Sequence, residues 1–359
     1  MPVTKNTSSL SRATMIGRAV VKWGIISLVV MIVGRVLITS LVAFWKAMNP
    51  PKPEPPTVGF GILPSIVFDK TLSKSPTSYS LELPTGNFPL FSDRAKVYLY
   101  SQATPSLLAD QAAKEIANRY NFVFAPEVVS DTVYRWTKSL PLVSTFEMDI
   151  NTHQFQFTTD FMNRPELLAK PNLPDGFQAV QIIKQFLGSA NLLSDDVATS
   201  SGDITYQKLI GRTLQPAVSV SDAEFIEVNI NRAPIDDLYP MYSPQKDRGT
   251  IHAIIAGGLS GADSVVQMEY NYFPTFSSLT HTYPLRSIAS AWEVLQAGEG
   301  YVVPEFSGQK AVIRTVSLGY FDDFKFQPYL QPIYVFEGDD HFVGYVPAIT
   351  PEFAQRPQP

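Results

Sequence analysis

The chain has 359 residues, of which 45% are hydrophobic and 17% charged, and that balance argues against intrinsic disorder. It has no cysteine, which removes disulfide frameworks, thiolate zinc sites, iron–sulfur clusters, cysteine nucleophiles and a lipidated cysteine. A net charge of -5 argues against nucleic-acid binding, and 29 prolines against 20 glycines lean toward β-rich, turn-rich structure in one or two globular parts.

Hydropathy is concentrated in one segment. Residues 23–45 read WGIISLVVMIVGRVLITSLVAFW and average about +2.1, while the other residues average about -0.1. A bilayer-crossing helix needs about 20 apolar residues, and tryptophan at both ends matches a headgroup-level aromatic belt. The segment is predicted to be a transmembrane helix. Before it, residues 1–22 form a basic tail in which Lys5, Arg12, Arg18 and Lys22 meet no acidic residue. Five of the chain's 28 basic residues lie in 1–45, so residues 46–359 carry 23 against 33 acidic ones, a net of -10. The positive-inside rule then predicts a single-pass protein of the cell membrane with its N-terminus in the cytoplasm and its bulk outside. A cleaved signal peptide is the competing reading, because residues 25–34 could serve as its apolar core. No A-x-A-like site follows closely, and apolar sequence resumes after Arg35.

Arg35 needs a reason to be there, since an arginine near mid-membrane costs about 2.5 to 3.5 kcal/mol on insertion scales. At about 100° per residue, Gly24, Ser27, Gly34, Arg35 and Thr39 share one helix face of about 140°. Small and polar residues on one face suit packing against another helix. These five are the candidate partner-contact residues, and Arg35 is expected to meet an acidic or carbonyl group of a membrane partner. The alternative is a lone arginine accommodated by snorkelling and local thinning.

Residues 46–57 contain NPPKPEPPT, with five prolines in nine residues, and predict a stiff polyproline II stalk. Globular sequence starts near Val58. A first helix is predicted over 106–120, burying Leu108, Ala112, Ile116 and Tyr120. Strands follow over 132–138 and within 145–157, where Asn151-Thr152 reads as a hairpin turn and Phe155 and Phe157 alternate with polar residues. A second helix over 175–190 buries Ala179, Ile183, Phe186 and Ala190, and strands follow at 204–209 and 225–230. The β-rich runs 250–256 and 264–273 make a long hairpin around Gly257, Gly258 and Gly261, whose GGLSG fits no phosphate-loop pattern. A third helix over 287–297 carries Ile288, Ala291, Trp292 and Leu295 on one face and ends at Gly298. Strands at 311–320, 330–336 and 342–347 close the fold.

The expected class is α+β, with the transmembrane helix followed by an ectodomain of three helix-plus-antiparallel-hairpin units over 58–170, 171–285 and 286–352, then a polar tail over 353–359. The run AWEVLQAGEG from Ala291, VSLGYF from Val316, QPIYVFEG from Gln331 and GYVPAI from Gly344 resemble the C-terminal part of YycI/YycH-type proteins and the wider PepSY-like group. The resemblance covers about the last 65 residues and the topology. It implies an extracytoplasmic module on one membrane helix, and the group's role of restraining a sensor kinase through membrane-helix contacts.

Little points to chemistry. His153, His252, His281 and His341 form no metal-ligand spacing. Ser243 with Lys246 and Ser307 with Lys310 have Ser-x-x-Lys spacing but sit in turns rather than at a helix start. The acidic pairs Asp236-Asp237, Asp322-Asp323 and Asp339-Asp340 fit no calcium loop and read as solvated turns. Glu299 with Glu305 and Glu147 with Asp149 are carboxylate pairs that spacing alone does not raise to a glycosidase site. The aromatics Phe273, Phe276, Tyr283, Tyr320, Phe321, Phe324, Phe326 and Tyr329 fill a core or line a groove for a glycan or peptide. No cofactor is expected. The leading expectation is a non-enzymatic binding or regulatory module acting on an envelope or membrane protein. A structural component of an envelope complex and a peptidoglycan-acting enzyme are the alternatives.

Overall fold

The computed structural model describes residues 8–48, 54–102, 106–140, 142–164 and 172–355. Parts of the expected basic tail (1–7), stalk (49–53) and polar tail (356–359) therefore lie outside the described residues. The chain falls into two units, Met1–Pro55 and Pro56–Pro359. The first holds helix α1, Ser8–Met48, which runs well beyond the apolar segment at its N-terminal end. Within it Thr14–Lys46 is long and apolar enough to cross a membrane, with a peak mean hydropathy of 2.5 and no burial of that stretch.

The second unit is mixed α+β. In chain order it begins with β1 (Ser78–Leu81), β2 (Arg94–Tyr100), α2 (Ala109–Arg119), β3 (Glu127–Val128), β4 (Val133–Lys138), β5 (Ser144–Asp149) and β6 (Phe155–Thr159). Next come α3 (Gly176–Ser189), α4 (Asp195–Thr199), β7 (Asp203–Ile210), β8 (Thr213–Pro216), β9 (Phe225–Ile230), β10 (Met241–Tyr242), β11 (Ile251–Ala256) and β12 (Val265–Tyr270). The last are β13 (Thr275–Pro284), α5 (Ile288–Gln296), β14 (Tyr301–Val302), β15 (Lys310–Phe321), β16 (Tyr329–Gly338) and β17 (Val343–Pro347).

The strands make two sheets. A nine-stranded sheet runs β3-β4-β5-β6-β12-β11-β9-β7-β8, and its described pairings are antiparallel. An eight-stranded sheet has the order β1-β15-β16-β17-β14, with β2 joining β16 to β13 and β10 beside β15. Here β1 and β10 lie parallel to β15, so the expectation of wholly antiparallel sheets gives way at two short pairings. Sheet membership also departs from sequence order. Strands from 58–170 and from 171–285 enter both sheets, because β2 pairs with β13 across a long stretch of chain that builds the other sheet.

Alternation decides which face of the nine-stranded sheet is buried. Trp136, Phe146, Phe157, Met268, Ala253, Val228 and Ile204 oppose one another across seven strands, and they pack against α2 and α3. Helix α3 begins as its sequence dictates: Asp175 accepts from the Gln178 backbone N–H at 2.8 Å while the Gln178 side chain accepts from the Asp175 N–H, a capping box. The expected stripe of Ala179, Ile183, Phe186 and Ala190 is buried. In α2 half of the expected stripe, Ile116 and Tyr120, is buried, and the rest is displaced. The helix starts at Ala109, Leu108 stays 66% exposed, and Ala109, Ala113, Ile116 and Ala117 face the sheet. Alanines on that face let the helix come close to the phenylalanines beneath it. Helix α5 packs Ile288, Ala291 and Leu295 onto the second sheet and stops before Gly298, whose φ of +74° suits glycine. The Asn151-Thr152 turn forms as predicted, built by Asp149, whose Oδ1 accepts from both backbone N–H groups at 2.9 Å.

Candidate functional site

The five candidate residues of the apolar helix all lie on α1. Ser27, Arg35 and Thr39 are exposed, and a Cβ added at Gly24 or Gly34 would meet no atom within 4 Å. The Thr39 hydroxyl is within 2.9 Å of the Arg35 and Val36 carbonyl oxygens, so it serves its own helix backbone. The face is thus assembled by helix periodicity alone.

In the second unit the most heavily built constellation surrounds Arg232, in the loop after β9. Its Nε donates to Asp322 Oδ2 at 2.8 Å, its Nη1 to Asp196 Oδ2 at 3.0 Å and its Nη2 to the Phe273 carbonyl at 2.6 Å. The guanidinium carbon lies 4.5 Å from the ring centre of Tyr272 and 5.6 Å from that of Tyr100. Tyr100 donates to Asp322 at 2.6 Å and Tyr272 to Asp196 at 2.8 Å. The Arg232 side chain is 2% exposed and that of Asp322 0%, whereas Asp196 keeps 33%.

The electrostatics follow from this burial. Desolvation works to lower the Arg232 pKa, but the charges of Asp322 and Asp196 and the two tyrosines outweigh it and raise it. Burial, then the Asp322 charge, pushes Tyr100 well above the usual range for a phenol. Tyr272 is pushed up to about 12, chiefly by burial, against the lowering influence of Arg232. Asp322 follows β15 and Tyr100 ends β2, both of the eight-stranded sheet, while Arg232 and Tyr272 follow β9 and β12 of the nine-stranded one. The cluster fastens the two sheets at their strand ends. It corrects the expectation that Asp322-Asp323 lies in a solvated turn: Asp322 is the buried counter-ion of an arginine 90 positions away.

A second polar array lies on the other face of the nine-stranded sheet. One residue along from the core row, Arg135, Glu147, Gln156, Glu269, His252 and Asn229 oppose one another strand by strand. Arg135 binds Glu147 at 2.8 Å, Arg248 binds Glu269, and His252 Nδ1 lies 3.0 Å from Asn229 Oδ1. His252 is held below its usual pKa by burial and then by Arg248, against Glu227 and Glu269, which act to raise it. Beside this row is a shallow cleft of about 320 Å³ lined in part by Glu147, Asp149, Gln154, Gln156, Glu269 and Asn271. Glu147 and Asp149, two residues apart on β5, both line it, but Glu147 is tied to Arg135 and Asp149 to its own turn.

The remaining candidates stay dispersed. His153 and His341 stand in turns at φ +61°, and His281 Nδ1 is 3.2 Å from the Thr57 hydroxyl. Ser243 donates to the Gln245 carbonyl at 2.7 Å, while Lys246 lies against His341. Asp236 pairs with Lys96 and Asp339 with Arg314. Among the described residues no group of three or more His, Asp or Glu side chains is placed to hold a metal. Of the aromatics, Phe273, Tyr283, Tyr320 and Phe321 are buried, while Phe276 and Phe326 are exposed.

Sequence reasoning missed Arg232, Asp196, Tyr100 and Tyr272. The one local sign was an arginine two residues past the end of a largely buried strand, in NINRAP.

No protein-family model matches the chain, and no curated protein does. Among solved structures the chain is similar to an uncharacterised protein from Eubacterium rectale ATCC 33656, at 9% identity and a TM-score of 0.34 over 74% of this chain and 86% of that one. A likeness at that level carries no argument about fold or activity.

Proposed function

We propose that this is a single-pass membrane protein whose residues 56–359 lie outside the cytoplasm and act as a non-enzymatic binding or regulatory module on an envelope or membrane partner. The observation that carries the reading is α1, whose Thr14–Lys46 stretch is long and apolar enough to cross a membrane and has none of its most apolar window buried. A helix of that composition left unburied needs a lipid or protein environment to cover it. The charge step from a basic tail to an acidic remainder sets the direction. The YycI/YycH-like pieces in about the last 65 residues support a regulatory role.

Alkaline carbonate extraction with mass analysis tests the anchor. The uncleaved 39.8 kDa chain is expected in the membrane pellet. Release into the supernatant, or a mature N-terminus beyond Thr39, would overturn the anchored reading. Turnover of purified cell wall by the full chain in detergent would overturn the non-enzymatic one.

A further inference from the structure

On the anchored reading, Arg35 sits at the centre of the span. Lys22-Trp23 and Trp45-Lys46 bracket it as mirror-image borders. At about 1.5 Å per residue Arg35 is about 18 Å from Trp23 and about 15 Å from Trp45. An arginine side chain covers less than half of the shorter distance, so snorkelling leaves the guanidinium inside the hydrocarbon. Its own helix supplies no counter-charge. Residues 1–48 contain no Asp or Glu, and the nearby Thr39 hydroxyl is engaged with the Arg35 and Val36 carbonyls. On the same face, Gly24 and Gly34 leave the backbone open to close approach.

We infer that Arg35 docks α1 against a membrane helix of a different protein, one that carries an Asp or Glu at matching depth. This rests on the anchored reading and names the chemistry of its partner. A second copy of this chain is the wrong occupant. Parallel copies meeting through this face would set Arg35 against Arg35 with no carboxylate to separate them, and like charges in hydrocarbon repel strongly. A carboxylate on another helix neutralises the guanidinium and accepts two of its N–H groups side by side.

The test uses the full chain in native membranes, with a photo-crosslinking residue at Ser27 or Thr39 on the Arg35 face, or at Val33 on the opposite face. The Ser27 and Thr39 probes are expected to form an adduct whose crosslinked peptide maps to an apolar span of another protein containing Asp or Glu, and the Val33 probe is not. Arg35→Leu should reduce that adduct about tenfold or more, and Arg35→Lys should retain most of it. Adducts with lipid alone, with a second copy of this chain, or with a span lacking a carboxylate would overturn the inference. So would an adduct indifferent to Arg35→Leu. Carbonate extraction of the same membranes separates the two failures: release of the wild-type chain overturns the anchor itself, whereas an integral chain with the wrong adduct overturns only the docking.

Discussion

Arg232 Nε donates to Asp322 Oδ2 at 2.8 Å, with neither side chain more than 2% exposed, and the bond joins the loop after β9 of one sheet to the residue after β15 of the other. A buried ion pair repays its desolvation only when its remaining hydrogen-bonding groups are also satisfied. Here Tyr100, Asp196 and the Phe273 carbonyl complete the set.

Breaking the pair from one side should therefore be costly. Asp322→Asn is expected to destabilise the protein by about 3 to 5 kcal/mol, because it leaves the arginine charge without its buried partner. Urea unfolding of the full chain in detergent, followed by near-ultraviolet circular dichroism, measures it. Arg232→Met combined with Asp322→Leu should recover a large part of the loss, and a strictly additive double variant would show that the two do not act as a pair.

Asp196 faces the same guanidinium but keeps one-third of its surface in water. Asp196→Asn is accordingly expected to cost less than Asp322→Asn in the same measurement, since solvent screens the exposed carboxylate. The reverse order would contradict the burial argument.

His252 supplies a pH dependence. Burial, helped by Arg248, holds its folded pKa below the ordinary value, so on acidification the unfolded chain takes up the proton first. Its contribution to stability is full above the unfolded pKa of about 6.5 and falls as the pH drops below that value. His252→Gln should flatten the loss of urea midpoint between neutral and mildly acidic pH. An unchanged slope would place the acid sensitivity on other groups.

The capping box of α3 makes a local prediction. Asp175→Ala removes an acceptor for the Gln178 N–H and should cost about 1 kcal/mol, read from the same unfolding midpoint.

Much of the second unit was legible because its signals are local. Helix α3 announced itself by an Asp-x-x-Gln cap and a stripe at helical spacing, and α5 by its own stripe and Gly298. The Phe155 and Phe157 alternation named the buried face of β6. Strands β2 and β13 gave no such sign. RAKVYLY and TFSSLTHTYP have little clean alternation, and their pairing brings residues 94–100 against residues 275–284. The Arg232 cluster was illegible for the same reason. Its six members come from five separate places in the chain, and only the closing of two sheets brings them together. Asp322 shows how a doublet misleads, since Asp322 is buried and its neighbour Asp323 is partly exposed, as adjacent residues leaving a strand point apart.

The central claim is that the chain is anchored by α1 with its bulk outside the cytoplasm. The absence of native cysteine makes this directly measurable. In intact cells a membrane-impermeant maleimide should label a Glu352→Cys variant and leave a Lys5→Cys variant unlabelled until the membrane is permeabilised. Labelling of Lys5→Cys in intact cells, or protection of Glu352→Cys, would contradict the account.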